Sequence, residues 1–283
     1  MIEVILRIRD GGGYAERTGR FPEDSTVLDA LETLRARAEA EARGAVSGSG
    51  PASGAIPAPD RGGAPAARVP HYRHSCHHGS CGTCGAVING LPSLMCLTRF
   101  SELSAPRPRE PGGPAREPER DPRGALVVTL DPLPKGTLIA GIAARPTAAL
   151  EAIPEEYSYL RPSEDAGRAP LPADPTRDAA PRETKGGLTS PGRVRFEACI
   201  ECGLCSASCP VAVPFMGPAA LAAVNRQREK NPDSADRMLE QAARPDGAPA
   251  CERHLHCSRV CPQAVYPAKH IQLLRNALAG RAQ

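Results

Sequence analysis

The sequence predicts an α+β chain in two parts: residues 1–133, mixing strands with a helix, and residues 134–283, built from helices. Three observations carry this. Residues 2–8, IEVILRI, place β-branched and leucine side chains at alternate positions, the period of a half-buried strand, and 124–130, GALVVTL, reads as a second strand segment. Between them Val27, Leu28, Leu31 and Leu34 recur at helical spacing. The last ninety residues carry seven of the 11 cysteines together with two helical stretches.

The elements follow in order. A Gly-rich turn at 11–13 closes the first strand, and 15–22 pairs back as a hairpin. Ser25 or Thr26 caps the helix TVLDALETLRARAEAEA. Residues 43–68 are mostly Gly, Ala, Ser and Pro, with few large apolar residues, and read as a flexible insertion. A cysteine-bearing loop fills 71–96, and 104–123 is a second low-complexity loop. The strand 124–130 stops at Asp131-Pro132. A short helix is expected over 140–150, interrupted near Pro146. Residues 161–192 are a Pro-rich polar linker, and helices are expected over 218–228 and 267–278.

Composition narrows the function. Lys plus Arg is 35 and Asp plus Glu is 32, a net charge of +3, too balanced for nucleic acid as the main partner. Aromatics are 3 % and Trp is absent, so base-stacking platforms are not expected. With Pro at 31 and Gly at 27, about a fifth of the chain, compact pieces joined by Pro-rich connectors are expected. The N-terminus has no basic segment followed by an apolar run, so no secretory signal is expected. The uncharged stretch 202–225 is broken by Pro210, Pro214, Gly217 and Pro218, which argues against a spanning helix. In a reducing compartment an odd, clustered set of cysteines points to metal ligands.

Their spacing says which metal. Cys76, Cys81, Cys84 and Cys96 form C-x4-C-x2-C-x11-C, the plant-type [2Fe–2S] spacing. Gly79, Gly82 and Gly85 let the backbone approach closely enough for amides to donate to sulfur. Zinc is the alternative, but it prefers paired C-x2-C units and this segment has one. Cys199, Cys202, Cys205 and Cys209-Pro210 form C-x2-C-x2-C-x3-C-P, whose last cysteine serves the neighbouring cluster in two-cluster proteins. Cys251, Cys257 and Cys261-Pro262 end in the same C-x3-C-P. Crossing over, Cys199, Cys202, Cys205 and Cys261 form a four-thiolate set suited to [4Fe–4S]. Cys209, Cys251 and Cys257 form a three-thiolate set suited to [3Fe–4S]. The three sets use all 11 cysteines.

In this order of motifs the chain resembles the iron–sulfur subunit of succinate dehydrogenase and fumarate reductase. Further matches are TVLDAL at 26–31, YRHSCHHGSCGTC at 72–84, DPLP at 131–134, Tyr159-Leu160, and GPAAL at 217–221. The resemblance implies a β-grasp [2Fe–2S] ferredoxin-like domain at 1–133 and an all-α dicluster domain at 134–283. It implies that electrons pass singly through [2Fe–2S], [4Fe–4S] and [3Fe–4S] clusters. The partners would be a flavoprotein subunit holding FAD, a cytochrome b-like membrane anchor and a quinone. No residue of this chain would be catalytic on the dicarboxylate. The subunit would sit on the cytoplasmic side of the inner membrane, held there by partners. A related flavin dehydrogenase with a non-quinone acceptor, or a free-standing carrier, is the alternative.

Several positions depart from the family pattern. Val211 to Phe215 fill the segment where a Trp is common, and Glu252 stands where His is common. His254 occupies the slot of a missing middle cysteine, as a bystander beside [3Fe–4S] or as a fourth ligand of a second [4Fe–4S] cluster. His77 and His78 follow Cys76 as solvated positions or as groups whose protonation raises the [2Fe–2S] potential. Arg73, Arg253 and Arg259 offset thiolate charge, contact the flavin subunit or are plain surface.

Overall fold

Alternate side chains of β1 (Ile2–Asp10) turn inward: Val4, Leu6 and Ile8 are fully buried. β1 pairs antiparallel with β2 (Gly13–Phe21). The computed structural model describes residues 1–46, 68–146 and 198–281. They divide into two compact units. One holds Met1–Arg109, Gly113–Leu133 and Leu138–Arg145. The other holds Glu110–Gly112, Pro134–Thr137 and Pro146–Gln283.

The first unit is a five-stranded mixed sheet in the order β2, β1, β7 (Leu126–Asp131), β3 (Gly85–Ile88), β4 (Leu91–Leu94). β7 runs parallel to β1, so the chain crosses over between them and places α1 (Val27–Val46) in that crossover. Thr26 caps α1 reciprocally: the Asp29 N–H donates to Thr26 Oγ1 at 3.2 Å and the Thr26 N–H to Asp29 Oδ2 at 2.9 Å. Val27, Leu28 and Leu31 bury against the sheet side of the core, where Phe21 stacks on Phe100 with centroids 5.6 Å apart.

β3 and β4 form a hairpin inside the segment expected to be a loop. Asn89 and Gly90 at its tip both have positive φ, 49° and 87°. Asn-Gly between apolar runs is the sequence signal for such a turn. Pro92 is tolerated because β4 is an edge strand. A four-residue helix, α2 (Phe100–Leu103), follows, and within 104–123 a two-residue ladder joins β5 (Arg107–Pro108) to β6 (Ala115–Arg116).

The helix expected over 140–150 is not formed in its described part. β8 (Thr137–Ala140) and β9 (Ala143–Arg145) make a hairpin instead. Gly141 turns at φ 55°, and a Cβ there would sit 2.6 Å from the His71 carbonyl oxygen. The buried Ile142 donates its N–H to that oxygen at 2.9 Å. Backbone pairing with a distant segment thus overrides the helix preference of the alanines. Residues 147–150, most of the 43–68 insertion, Tyr159-Leu160 and the 161–192 linker lie outside the described residues.

The second unit is helical: α3 (Leu204–Ala207), α4 (Pro218–Lys230), α5 (Ala235–Ala243), α6 (His256–Arg259) and α7 (Pro267–Arg281). Leu221, Val224, Met238, Leu239, Ile271 and Leu274 from α4, α5 and α7 make its core. α5 was not expected from the sequence, since its apolar side is only Met238, Leu239 and Ala242. Buried Asn225 and His270 face each other across α4 and α7, Nδ2 to Nδ1 at 3.0 Å.

Candidate iron–sulfur centres

The first cysteine group is assembled by the hairpin and by α1. Cys84 immediately precedes β3 and Cys96 follows β4 by one residue, so the turn folds an 11-residue gap onto itself. The Met95 N–H donates to the Cys84 carbonyl at 3.1 Å, and the two sulfurs lie 3.3 Å apart. From α1, Glu32 accepts from the Tyr72 hydroxyl at 2.5 Å and from Arg35 at 2.7 Å. His74 joins this cluster, its Nε2 3.4 Å from Glu32. Burial, then the Glu32 bond, push the Tyr72 hydroxyl well above its ordinary range. The approach to Cys76 is therefore pinned from the helix.

The loop itself is built from left-handed positions, His77 at φ 62°, Gly79 at 81° and Gly82 at 68°. Such turns aim successive N–H groups inward. The Cys81 N–H reaches Cys76 Sγ at 3.4 Å. The backbone N–H of His78, with help from Cys81 and Ser80, holds the half-buried Cys76 thiol down at about 6. Cys96 is the opposite case: burial, then its contact with Cys84, push it up to about 12. His77 and His74 are paired ring to ring, Nε2 to Nδ1 at 3.1 Å, and Arg73 is spent on the Ala144 carbonyl at 2.9 Å.

The second and third groups repeat one backbone design. In 199–205 the left-handed residues are Glu201 (φ 49°) and Gly203 (77°), and α3 begins at once. In 251–257 they are Arg253 (63°) and Leu255 (64°), and α6 begins at once. Leu255 in this conformation costs on the order of 1–2 kcal/mol, so the surroundings must enforce the turn. α3 and α6 lie against each other, with His256 Nδ1 3.2 Å from the Ser208 carbonyl.

Packing sorts the thiols across the two repeats. Cys199 and Cys261 share one apolar cluster with Ala222, Ala223 and Val265, while Cys251 packs on the other, with Phe215 and Met216. Alanines at 219, 220, 222 and 223 leave room for the cysteine turns to approach α4. The electrostatics follow the same division. Burial raises Cys199, with Cys261 adding to it, and raises Cys202 to about 11, with Cys261 and Cys199 adding. Cys205 is pushed higher still, by burial, then by Cys202, Cys199 and Cys261, and last by Cys257 of the other set. Burial raises Cys257 to about 11, and its charged neighbours are Cys209 and Cys251. Cys209 is raised by burial, with the Val211 N–H and Lys135 acting against it.

His254 stands where Cys202 stands in the other repeat. Its side chain is 41 % exposed, and Nε2 lies 2.9 Å from Glu252 Oε2. Arg259 reaches the Pro111 carbonyl at 3.4 Å. Two cations escaped sequence reasoning. Arg275 grips the Cys251 carbonyl at 2.7 Å and the Ala248 carbonyl at 2.9 Å. Lys135 donates to the carbonyls of Cys209 and Val211. Neither carries a local motif; each meets its partner through the fold.

These residues fit iron–sulfur clusters. The donors are soft thiols, which suit iron–sulfur and zinc. A dry thiolate without a cation to share its charge is disfavoured, which is why the buried thiols rise. Among the described residues no helix is long and apolar enough to cross a membrane.

Known proteins carry the same organisation. Residues 19–142 match the model of the 2Fe-2S iron-sulfur cluster binding domain, and 195–265 match the 4Fe-4S dicluster domain. The fumarate reductase iron-sulfur subunit of Mycobacterium tuberculosis is 30 % identical over 216 residues, 75 % of each chain. That of Haemophilus influenzae is 33 % identical over 206 residues, 71 % of this chain and 72 % of its own. A mitochondrial succinate dehydrogenase [ubiquinone] iron-sulfur subunit of rice is 25 % identical over 212 residues, 72 % of this chain and 63 % of its own. In fold, a chain of the Mycobacterium smegmatis Sdh1 complex in the apo form matches 99 % of this chain and 97 % of its own, with a TM-score of 0.57 at 20 % identity. A [2Fe–2S] domain followed by a dicluster domain, at this identity and coverage, places the chain in the family of succinate dehydrogenase and fumarate reductase iron–sulfur subunits, and it is an electron-transfer subunit of an oxidoreductase.

Proposed function

We propose that this subunit links a flavoprotein, which exchanges electrons with succinate or fumarate, to a quinone at a membrane anchor. Its first unit is a β-grasp ferredoxin domain, to which Leu138–Arg145 returns after residue 133, and its second an all-α dicluster domain. When bound, the three clusters would supply one-electron steps between a two-electron flavin and the quinone. Cys76, Cys81, Cys84 and Cys96 hold [2Fe–2S]. Cys199, Cys202, Cys205 and Cys261 hold [4Fe–4S], and Cys209, Cys251 and Cys257 hold [3Fe–4S].

The observation that carries the ligand assignment is the repeated turn. Two copies of one backbone path pack α3 on α6, and each C-x3-C-P cysteine has its thiol neighbours in the other copy. His254 is turned toward Glu252, which supports three thiolates and no imidazole in the second set. Exposed Val213 and Leu255 lie on the segments that carry Cys209 and Cys257, apolar surface suited to a membrane partner. The chain's own task is to fix thiol positions, exclude water from the buried sets and tune potential through amides and charges.

Iron and sulfide analysis of the anaerobically purified complex tests this. About 9 irons per chain are expected from the cluster types that the spacings specify. Stoichiometric zinc with little iron would overturn it. Succinate-dependent reduction of a quinone analogue tests the acceptor.

A further inference from the structure

We propose that Lys135 is a positioning residue for the cluster held by Cys209, Cys251 and Cys257, and that its charge raises that cluster's reduction potential. This rests on the ligand assignment above.

The geometry is specific. Lys135 Nζ lies 2.5 Å from the Cys209 carbonyl oxygen and 2.6 Å from that of Val211. One ammonium thus spans the ligand residue and the turn after it, on both sides of Pro210. Pro210 has no N–H, so this stretch has one backbone donor fewer with which to hold itself. Cys257 is held by α6, and Cys251 by Arg275 through its carbonyl. Cys209 follows the end of α3, and Lys135 reaches it from 74 residues away in sequence. The backbone of Lys135 is itself left-handed, φ 63°, which a lysine adopts rarely. It lies between Pro134 and Gly136, so the turn presents the side chain.

The charge argument is Coulombic. Reduction adds one negative charge to the cluster. A fixed ammonium beside a ligand residue stabilises the reduced form more than the oxidised form, and the effect grows where water is excluded. Around Cys209 the thiols of Cys251 and Cys257 and the Glu252 carboxylate are the opposing charges, and Lys135 acts against them.

The test is a redox titration of the purified complex, followed by electron paramagnetic resonance, for the wild type and for Lys135→Arg, Lys135→Gln and Lys135→Met. The [2Fe–2S] signal in each sample is the internal reference. Lys135→Gln keeps a donor and drops the charge, and it should move only this cluster's midpoint to lower potential. Lys135→Arg should restore the wild-type value. Lys135→Met removes both, and should add loss of this cluster's iron with the other two signals intact. A loaded Lys135→Gln cluster at the wild-type potential would overturn the proposal. An equal shift in Lys135→Arg would also overturn it, since charge would not be the cause. The ligand assignment fails differently, in the wild type: a second [4Fe–4S] signal there makes His254 a ligand, and the Lys135 comparison is then read on that cluster.

Discussion

Residues 199–210 and 251–262 follow the same backbone path, and the informative difference between them is one side chain. Both turn through two left-handed residues, start a four-residue helix and end in C-x3-C-P. Cys202 is turned into its thiol group, where burial raises it; His254 is turned out to Glu252. On the proposed ligand assignment, the backbone path is common to both sets and the middle residue sets how many thiolates each can offer. The N-terminal group combines both conditions: Cys84 and Cys96 are buried, while the half-buried Cys76 has its charge held by backbone N–H groups.

Breaking the pairing between repeats gives the largest effect. Cys261→Ser should abolish the [4Fe–4S] signal although it lies in the third cysteine group, and Cys209→Ser the [3Fe–4S] signal although it lies in the second. Succinate–quinone electron transfer by the complex should fall by more than the roughly 10- to 100-fold that loss of an outer-shell partner costs. Damage confined to each mutation's own sequence group would refute the crossover.

Making the repeats alike gives the next effect. His254→Cys should add a fourth thiolate and raise the iron content by about one per chain, the difference between the two cluster types. His254→Leu should leave the wild-type spectrum unchanged, because the imidazole faces Glu252. Conversion of wild-type [4Fe–4S] to [3Fe–4S] in the Leu variant would make His254 a ligand.

The smallest effect separates Cys76 from the thiols of the two repeats by the sign of a pH dependence in cluster-free protein. Cys202 and Cys257 are raised from 9.0 to about 11. Between those values the folded state holds more protons than the unfolded state. Their contribution to stability is complete below pH 9 and is lost as pH rises through 11. Cys76 is lowered from 9.0 to about 6, so its contribution is present above pH 9 and lost as pH falls through 6. Alkylation followed by peptide mass spectrometry should label Cys76 at neutral pH and spare Cys202 and Cys257. Equal labelling of the three would remove the contrast. The melting temperature should decline above pH 9.

Much of the fold was legible because its signals are local. The alternation in β1 and the reciprocal Thr26–Asp29 cap each lie within a few residues, and each produced the expected element. The Asn89-Gly90 hairpin was equally local and was hidden by treating the cysteine segment as one loop. The helix expected over 140–150 failed for the opposite reason. Ile142 bonds to His71, about 70 residues earlier, and no window of sequence contains both.

Cysteine spacing by itself pointed to the [2Fe–2S] domain and the dicluster domain that the family models match, because a thiol set must close on its irons from short turns whose reach is fixed by the chain. It also determined which side chain breaks the repeat. Tertiary structure alone decided where His254 turns, which cations grip Cys209 and Cys251, and which thiols are dry. Those depend on helices and loops meeting across long stretches of chain. Burial and charge act through distance in space, and Lys135 reaches Cys209 only because the fold brings its turn there.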